Sequence, residues 1–247
     1  MNQQQLISAN IENLTQLWKR MGTTPHIMDN AGSLFYSDNW PHRCWFESKL
    51  NRYEASTITK FIEQIKNHYI LPVWLQPGIP MSDLEERLRN NGFEMVLQQT
   101  AMVLEMKNYQ QQAASEFNII EVNSTSDIDI WTDIAARAFS YEINSDVIRT
   151  IVDMPEVQLL LAVINNHPVA TALIFNTGNV VGVHQVGVLE QFRGQGIARK
   201  LMHHVINQCA TLPARYVTLQ ASVTGAVLYK SLGFKPQFKI KSYQRRN

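Results

Sequence analysis

Hydrophobic positions in the first part of the chain alternate between helical and strand-like spacing. Leu6, Ile7, Leu14, Leu17 and Trp18 recur at near-helical intervals, which predicts an amphipathic helix packed against a sheet. Turn-prone residues then separate several short apolar runs. The predicted elements are a helix at 6–21, a strand hairpin at 33–36 and 44–46, a helix at 54–68, a strand at 70–75, a helix from 82 and a strand at 93–106.

The second part of the chain has a denser strand pattern. Residues 157–164 and 169–175 are rich in aliphatic and β-branched side chains, and the Asn-Asn-His-Pro tetrapeptide between them predicts a turn. Ser126 is a suitable N-cap for a helix at 127–139. The remaining predicted elements are helices at 127–139, 145–154, 196–209 and 224–232, and strands at 118–122, 180–189, 216–221 and 234–243.

The segment between the two patterns favours no regular element. Its Gln and Ala bias indicates a linker at 108–117, which divides the chain into domains at 1–107 and 118–247. A helix, a Gly-Phe pair and a long strand follow one another in both domains, at 84–106 and 225–243. Two interpretations stay open. The similarity is a coincidence, since glycine after a helix is common because it supplies the left-handed C-cap. Alternatively, the first domain is a degenerate copy of the second.

Composition narrows the class of protein without indicating an activity. The 247 residues contain 22 Lys plus Arg and 21 Asp plus Glu, so no charge excess favours a nucleic acid or an anionic membrane. Cys44 and Cys209 are far apart and lack the spacing of a zinc site or a disulfide framework. Neither a secretory leader nor a run of about 18 apolar residues occurs. We expect a soluble, cytoplasmic protein without a bound metal.

The strongest chemical signal is the segment Gln-Phe-Arg-Gly-Gln-Gly-Ile-Ala at 191–198, between a strand and an amphipathic helix. Gly194 and Gly196 carry no side chains, so successive backbone N–H groups can converge on an anion at the helix N-terminus. A diphosphate fits such a loop, and a plain tight turn is the alternative. The loop lacks the third glycine of a dinucleotide-binding fingerprint, where Arg199 stands, and lacks the Gly-Lys-Ser/Thr of a P-loop.

These residues resemble the GCN5-related N-acetyltransferase superfamily. The coenzyme A loop of that family, Gln/Arg-x-x-Gly-x-Gly/Ala, matches 191–196, and the strand ending Val-x-x-x-x-Arg matches 188–193. A second family motif matches 228–234, Leu-Tyr-Lys-Ser-Leu-Gly-Phe. The resemblance covers 118–247 and implies an α/β (α+β) fold with a mixed, mostly antiparallel sheet flanked by helices. It also implies tandem copies of this fold with the first one degenerate.

The resemblance implies acetyl-CoA as cosubstrate and assigns positions to it. The backbone of Val188 would pair with the pantetheine arm, and Ser222 stands where the family often has an asparagine that contacts the coenzyme. A serine hydroxyl has a shorter reach, which should affect affinity more than fold. The pyrophosphate would be held by the backbone amides of Arg193, Gly194, Gln195, Gly196, Ile197 and Ala198.

The resemblance also implies catalytic roles for three residues. The Val186 N–H would stabilise the oxyanion, and Tyr229 would act as general acid towards the departing thiolate. His184 stands where some arylalkylamine-type members carry a catalytic histidine that takes a proton from the amine. The alternatives are an aromatic core residue for Tyr229, and for His184 a hydrogen-bonded strand residue, with an ordered water as the base.

The expected activity is transfer of an acetyl or short acyl group to a primary amine of a small molecule or peptide. The alternative is a catalytically silent protein that keeps the fold and the coenzyme site. The acceptor would be selected by the loops at 138–155, where Glu142, Asp146 and Asp153 either attract a cationic amine or form a solvated helix face. Whether the first domain contributes to the acceptor site stays open. The sequence leaves open whether the chain forms a homodimer.

Overall fold

The computed structural model describes residues 1–28, 32–46, 55–78, 82–111 and 118–246. Seven helices lie in these ranges: α1 Gln3–Arg20, α2 Ala55–Gln64, α3 Ser82–Asn90, α4 Thr125–Phe139, α5 Ser145–Ile151, α6 Ile197–Cys209 and α7 Gly225–Ser231. The strands described are β1 Thr24–Met28, β2 Gly32–Tyr36, β3 Cys44–Phe46, β4 Leu71–Leu75, β5 Phe93–Glu105, β6 Asn118–Glu121, β7 Val157–Ile164, β8 His167–Asn176, β9 Val180–Val188, β10 Tyr216–Ala221 and β11 Lys235–Arg245.

One large sheet organises the molecule. Its eight strands run in the order β4-β11-β5-β10-β9-β8-β7-β6, and only β9 and β10 run parallel to each other. A second, three-stranded sheet consists of β1, β2 and β3, all antiparallel. The predicted fold class, a mixed and mostly antiparallel sheet flanked by helices, is confirmed.

The large sheet crosses the division that the sequence suggested. β5, from the first part of the chain, lies between β10 and β11, and β11 lies between β4 and β5. The last strand of each part, β5 or β11, therefore pairs with strands of the other part. The domain boundaries at 107 and 118 stay a prediction, and residues 112–117 of the predicted linker lie outside the described residues. The linker begins in a 3₁₀ turn at Met106–Asn108.

The two parts repeat one order of elements. A helix, a three-stranded meander, a helix, a strand, a helix and a long strand occur as α1 to β5, and again as α4 to β11. In the second part β6 precedes α4, and α5 is inserted after it. β9 meets β10 in parallel, and a single parallel bridge joins Arg43 to Ile70, beside β3 and β4. This repeat supports the interpretation that the first part is a degenerate copy of the second.

Helix α1 spans this shared sheet and contacts strands of the second part. Its N-terminus has a capping box between Asn2 and Gln5, which pairs two amides that otherwise lack helical partners. Its buried face carries Ile7, Leu14, Leu17 and Trp18 into a core that also contains residues of α4, β7 and β8. Two asparagines, Asn10 and Asn13, lie on the same face and are 0% and 1% exposed.

One local prediction was wrong, and another was correct in position but too long. The N-cap of α4 is Ser124, whose hydroxyl accepts a hydrogen bond from the Asp127 amide at 3.1 Å, and not Ser126. Ser124 also donates to the Asp127 carboxylate at 2.7 Å, and this reciprocal pair favours the earlier cap. The turn after β7 contains only Asn165 and Asn166, both with positive φ, and the following His-Pro pair already belongs to β8.

Candidate active site

The two parallel strands of the large sheet separate along their length. β9 and β10 pair at three positions, the last of which is Gly182 with Thr218. β9 continues to Val188 and β10 to Ala221, and no further pair forms between these two described strands. Beyond these pairs the two strand ends do not hydrogen-bond to each other, and the region between them is named here the β9/β10 cleft. Its edges offer backbone N–H and C=O groups to an extended ligand.

A bulge interrupts β9 inside this diverging length. The register with β8 shifts between Thr171 and Leu173, and Gln185 has φ of 49°. The Thr171 hydroxyl donates to the Gln185 backbone carbonyl at 2.9 Å, and the Tyr141 hydroxyl donates to its side-chain oxygen at 3.1 Å. A bulge redirects the backbone groups beside it. Val186, the predicted oxyanion donor, follows the bulge directly, and its role stays a prediction.

The glycine loop joins the end of β9 to α6. Gly194 and Gly196 both have φ of 76°, a conformation that glycine adopts without the steric cost of a side chain. Nothing lies within 4 Å of the place where a Cβ at either position would be. Gly196 caps α6 without a side-chain hydrogen bond, so the first amides of the helix remain available to an anion. The open space at the two glycines and the available amides of α6 are both suited to a pyrophosphate.

The Arg193 side chain holds this loop against its neighbours. Its Nε donates to the Val188 carbonyl at 3.1 Å, and its Nη2 donates to the Ala138 carbonyl at the end of α4 at 2.7 Å. The arginine therefore links the glycine loop, the end of β9 and α4. The backbone amide of Arg193 belongs to the predicted pyrophosphate cradle, whereas its side chain is a structural link that the sequence did not reveal. The pairing of Val188 with pantetheine stays a prediction.

Tyr229 lies on the same side of the sheet as the side chains of Val186 and Val188. It is 9% exposed and packs edge to face on Phe234, with ring centroids 5.9 Å apart. Val186 and Val188 are half-buried and pack against the same hydrophobic cluster. Burial raises the pKa of Tyr229 to about 12, so the phenol keeps its proton at neutral pH. The packing is that of the core aromatic residue that the sequence gave as one alternative, and a role of Tyr229 as general acid stays a prediction.

Ser222 stands between β10 and α7 and is exposed. Its hydroxyl accepts a hydrogen bond from the Gly225 amide at 3.0 Å and lies 3.2 Å from the Thr224 hydroxyl. The serine therefore satisfies an amide at the start of α7. Its predicted contact with the coenzyme stays a prediction.

His184 lies on the opposite face of β9, against α1. It is 8% exposed, and its Nε2 lies 3.1 Å from the Asn13 Oδ1. The Asn13 amide nitrogen donates to the Phe175 carbonyl and the Thr177 hydroxyl, so its oxygen faces the ring and the Nε2 donates. Burial lowers the pKa of His184 to about 4, and an interaction with the Gln220 side chain opposes this. These contacts favour the hydrogen-bonded strand histidine, and a catalytic base at this position stays a prediction.

A cavity of about 610 Å³ lies where the predicted acceptor loops begin. Asp133 forms an ion pair with Arg137 at 3.1 Å, and Asp129 forms one with Arg149. Thr132 is 7% exposed, and its hydroxyl has no hydrogen-bond partner among the described residues. The lining residues come from both parts of the chain: Asn39, Trp40, His42, Asp129, Thr132, Asp133, Ala136, Glu142, Ile143, Asn144 and Ser145.

Of the three acidic residues that the sequence singled out, only Glu142 lines this cavity. Asp146 instead pairs with Arg149 at 2.9 Å, and Asp153 is not a lining residue. Among the described residues, no group of three or more His, Cys, Asp or Glu side chains could hold a metal ion. No helix in the described part of the chain is long and apolar enough to cross a membrane.

Sequence reasoning missed Asn10, Asn13 and Gln220. The Gln220 Nε2 donates to the Asn10 Oδ1 at 2.9 Å, and the Asn10 amide donates to the Met102 carbonyl at 3.3 Å. The two asparagines interrupt the apolar face of a predicted helix at a spacing of three residues. That spacing was the available signal, because buried amides require partners on the surface they pack against.

Comparison with known proteins agrees with this geometry. The family model described as an acetyltransferase (GNAT) domain matches residues 106–245. Comparison with curated proteins finds no match.

Solved structures with the same fold extend over nearly the whole chain. A GCN5-related N-acetyltransferase from Kribbella flavida is 16% identical, covers 98% of this chain and 95% of its own, and has a TM-score of 0.70. A functionally unknown conserved protein from Staphylococcus epidermidis is 19% identical, with coverages of 92% and 95% and a TM-score of 0.68. A GCN5-related N-acetyltransferase-like protein from Streptococcus suis is 12% identical, with coverages of 97% and 100% and a TM-score of 0.62.

At these identities the structural likeness shows the fold alone. The family model is more specific, since it spans more than half of the chain and contains β9, the glycine loop and Tyr229. On this evidence the chain belongs to the GNAT acetyltransferase family.

Proposed function

We propose that the chain transfers an acetyl group from acetyl-CoA to a primary amine of a small molecule or peptide. The observation that carries the proposal is that β9 stops pairing with β10 after Gly182 and leads on into the glycine loop, an arrangement that would let an extended arm and a diphosphate share one site. The Gly194 and Gly196 positions leave open space where side chains would otherwise block the diphosphate.

The residues of the chain would divide the work of holding the coenzyme. The loop amides from Arg193 to Ala198 bind the pyrophosphate, and the edge of β9 around Val188 binds the arm that leads to the thioester. The Val186 N–H, beside the bulge, stabilises the charge that develops on the carbonyl oxygen. A single donor of this kind contributes about 100-fold to 1,000-fold in rate.

The chemical step is direct attack. The amine nitrogen forms a bond to the acetyl carbon, the bond from that carbon to sulfur breaks, and the products are an amide and coenzyme A. Tyr229, which is protonated at neutral pH, gives its proton to the departing thiolate and regains one from solvent before the next turnover. The amine releases its proton to water, because the His184 ring is engaged by Asn13 behind the sheet.

The acceptor would enter from the cavity beside α4 and α5. Tyr141 lies just before Glu142 of this cavity and contacts the bulge through Gln185. Ala138 and Phe139 lie against Gly187, so the end of α4 reaches β9 next to the same bulge. Asp129 and Asp133 are paired with Arg149 and Arg137, so the Glu142 carboxylate is the group of this cavity that would favour an amine carrying positive charge.

The competing proposal is a coenzyme-binding protein without turnover. The observation in its favour is the burial of His184, which removes the one histidine of β9 from the cleft.

A panel of amines, aminoglycosides, polyamines and peptides, screened for thiol release from acetyl-CoA, separates the two. We expect at least one acceptor to raise thiol release well above the rate of hydrolysis, with the acetylated amine visible by mass spectrometry. Tight coenzyme binding with no acceptor-dependent release would favour the silent protein.

A further inference from the structure

On the side of the sheet that faces α1, polar side chains from β9 and β10 lie beneath the β9/β10 cleft. His184 lies two residues beyond the last paired residue of β9, Gly182, and Gln220 lies two residues beyond its partner Thr218 on β10. Side chains at a spacing of two point to the same face of a sheet. The two side chains therefore stand at matching levels on the two diverging strands, facing α1.

Helix α1 contacts both strands at this level through residues one turn apart. The Asn13 Oδ1 lies 3.1 Å from the His184 Nε2, and the Asn10 Oδ1 accepts from the Gln220 Nε2 at 2.9 Å. Helix α1 therefore links His184 of β9 to Gln220 of β10 through Asn13 and Asn10.

Each asparagine is fixed by further hydrogen bonds, so this link cannot shift freely. The Asn13 amide donates to Thr177 at 3.0 Å and to the Phe175 carbonyl at 3.1 Å. The Asn10 amide donates to Gln237 at 2.6 Å and to the Met102 carbonyl at 3.3 Å. A buried amide network with these partners satisfied resists rearrangement, because losing one bond leaves a polar group unpaired.

Gly182 makes the contact between helix and strand possible. A Cβ at this position would lie 1.8 Å from the Asn13 Oδ1 and 2.3 Å from the His184 Nε2. The amide and the imidazole therefore lie directly over the backbone at the point where β9 and β10 part. A glycine at the last paired residue leaves space for both groups.

We propose that Asn10, Asn13, His184 and Gln220 form a clamp that sets the separation of β9 and β10 and thereby the width of the coenzyme site. The clamp residues are positioning residues. The inference rests on the proposed function and extends it: a helix of the first part of the chain is part of the coenzyme site of the second part.

The test compares Asn13→Ala with Thr15→Ala in the full chain. Thr15 is a buried polar residue of the same helix, but its hydroxyl bonds only back to the Ile11 and Glu12 carbonyls. We expect Asn13→Ala to raise the Kd and the KM for acetyl-CoA at least tenfold, with the KM for the acceptor unchanged. Thr15→Ala should leave both coenzyme constants as in the wild type.

If Asn13 contributed only to stability, Asn13→Ala would change the amount of folded protein and not its affinity for coenzyme. It would lower the amount of active protein and its Tm, while the protein that remains folded would bind coenzyme with the wild-type Kd. That result for Asn13→Ala would overturn the clamp. Gln220→Ala, at the partly buried end of the network, gives the same test if Asn13→Ala does not fold.

Hydrogen exchange measured without coenzyme tests the clamp independently of the proposed function. Loss of the clamp should change the exchange of the amides at 183–188 in Asn13→Ala and not in Thr15→Ala. If the wild type fails to bind coenzyme but this change occurs, the proposed function is wrong and the clamp stands. If exchange at 183–188 is the same in both variants, the clamp is wrong.

Discussion

The Asn13 amide oxygen occupies the place where a side chain at Gly182 would lie. A Cβ there would be 1.8 Å from this oxygen, far inside any normal contact distance. The oxygen belongs to α1 in the first part of the chain, and the glycine belongs to β9 in the second. This one contact shows how closely the two parts share the β9/β10 cleft.

Gly182→Ala should therefore destabilise the fold. The methyl group forces Asn13 and His184 apart, and overpacking of a buried site costs about 1–3 kcal/mol. The same substitution in an Asn13→Ala background should cost less, because the oxygen at 1.8 Å is absent and only the contact with the His184 Nε2 at 2.3 Å remains. Urea unfolding of both single variants and the double variant measures the coupling. Additive effects would mean that the two residues do not compete for this space.

Stability should fall in mild acid because of His184. Its folded pKa of about 4 lies below the ordinary value, so the unfolded chain binds more protons between about pH 6.5 and pH 4. The contribution is complete above pH 6.5 and is lost as the pH falls towards 4, at most about 3 kcal/mol. Urea unfolding at pH 7 and pH 4.5 should show a smaller loss for His184→Gln than for the wild type. An equal loss in both proteins would show that the imidazole titrates normally.

Tyr229→Phe should lower kcat while leaving the Kd for acetyl-CoA nearly unchanged. The substitution removes the proton donor but keeps the ring that packs on Phe234. General acid catalysis contributes about 100-fold to 10,000-fold, so the loss in kcat should be at least tenfold. Because the pKa of the phenol is raised to about 12, wild-type activity should not fall near pH 10 through this residue. Steady-state kinetics with coenzyme titration measures both constants, and unchanged kcat would exclude Tyr229 from the reaction.

The glycine loop could be predicted from the sequence because its signals are local. Two glycines at positive φ before an amphipathic helix define an anion site within a few residues, and the structure has this geometry at Gly194 and Gly196. The helix caps show where local signals compete. Ser124 and Ser126 both suit an N-cap, and each has an aspartate three residues later, so the local sequence does not decide between them. In the structure Ser124 pairs with Asp127, whereas Asp129 pairs with Arg149.

The exchange of β5 and β11 could not be predicted, because it depends on pairing between residues far apart in the chain. Thr100 pairs with Ala221 on one side and Lys239 on the other, and nothing in the pattern of β5 specifies these partners. The contacts of Asn10 and Asn13 could not be predicted for the same reason. Their hydrogen-bond partners are far away in the sequence and come close only when α1 packs across β9 and β10.

Binding of acetyl-CoA to the glycine loop is the central claim, and Gly196→Trp tests it most directly. Gly178→Trp is the matched control, since Gly178 also has positive φ and open space around it but lies in the turn between β8 and β9. Each variant bears a similar conformational cost of about 1–2 kcal/mol. Calorimetric titration with acetyl-CoA should give wild-type affinity for Gly178→Trp and no measurable binding for a folded Gly196→Trp. Equal affinity in all three proteins would contradict the account.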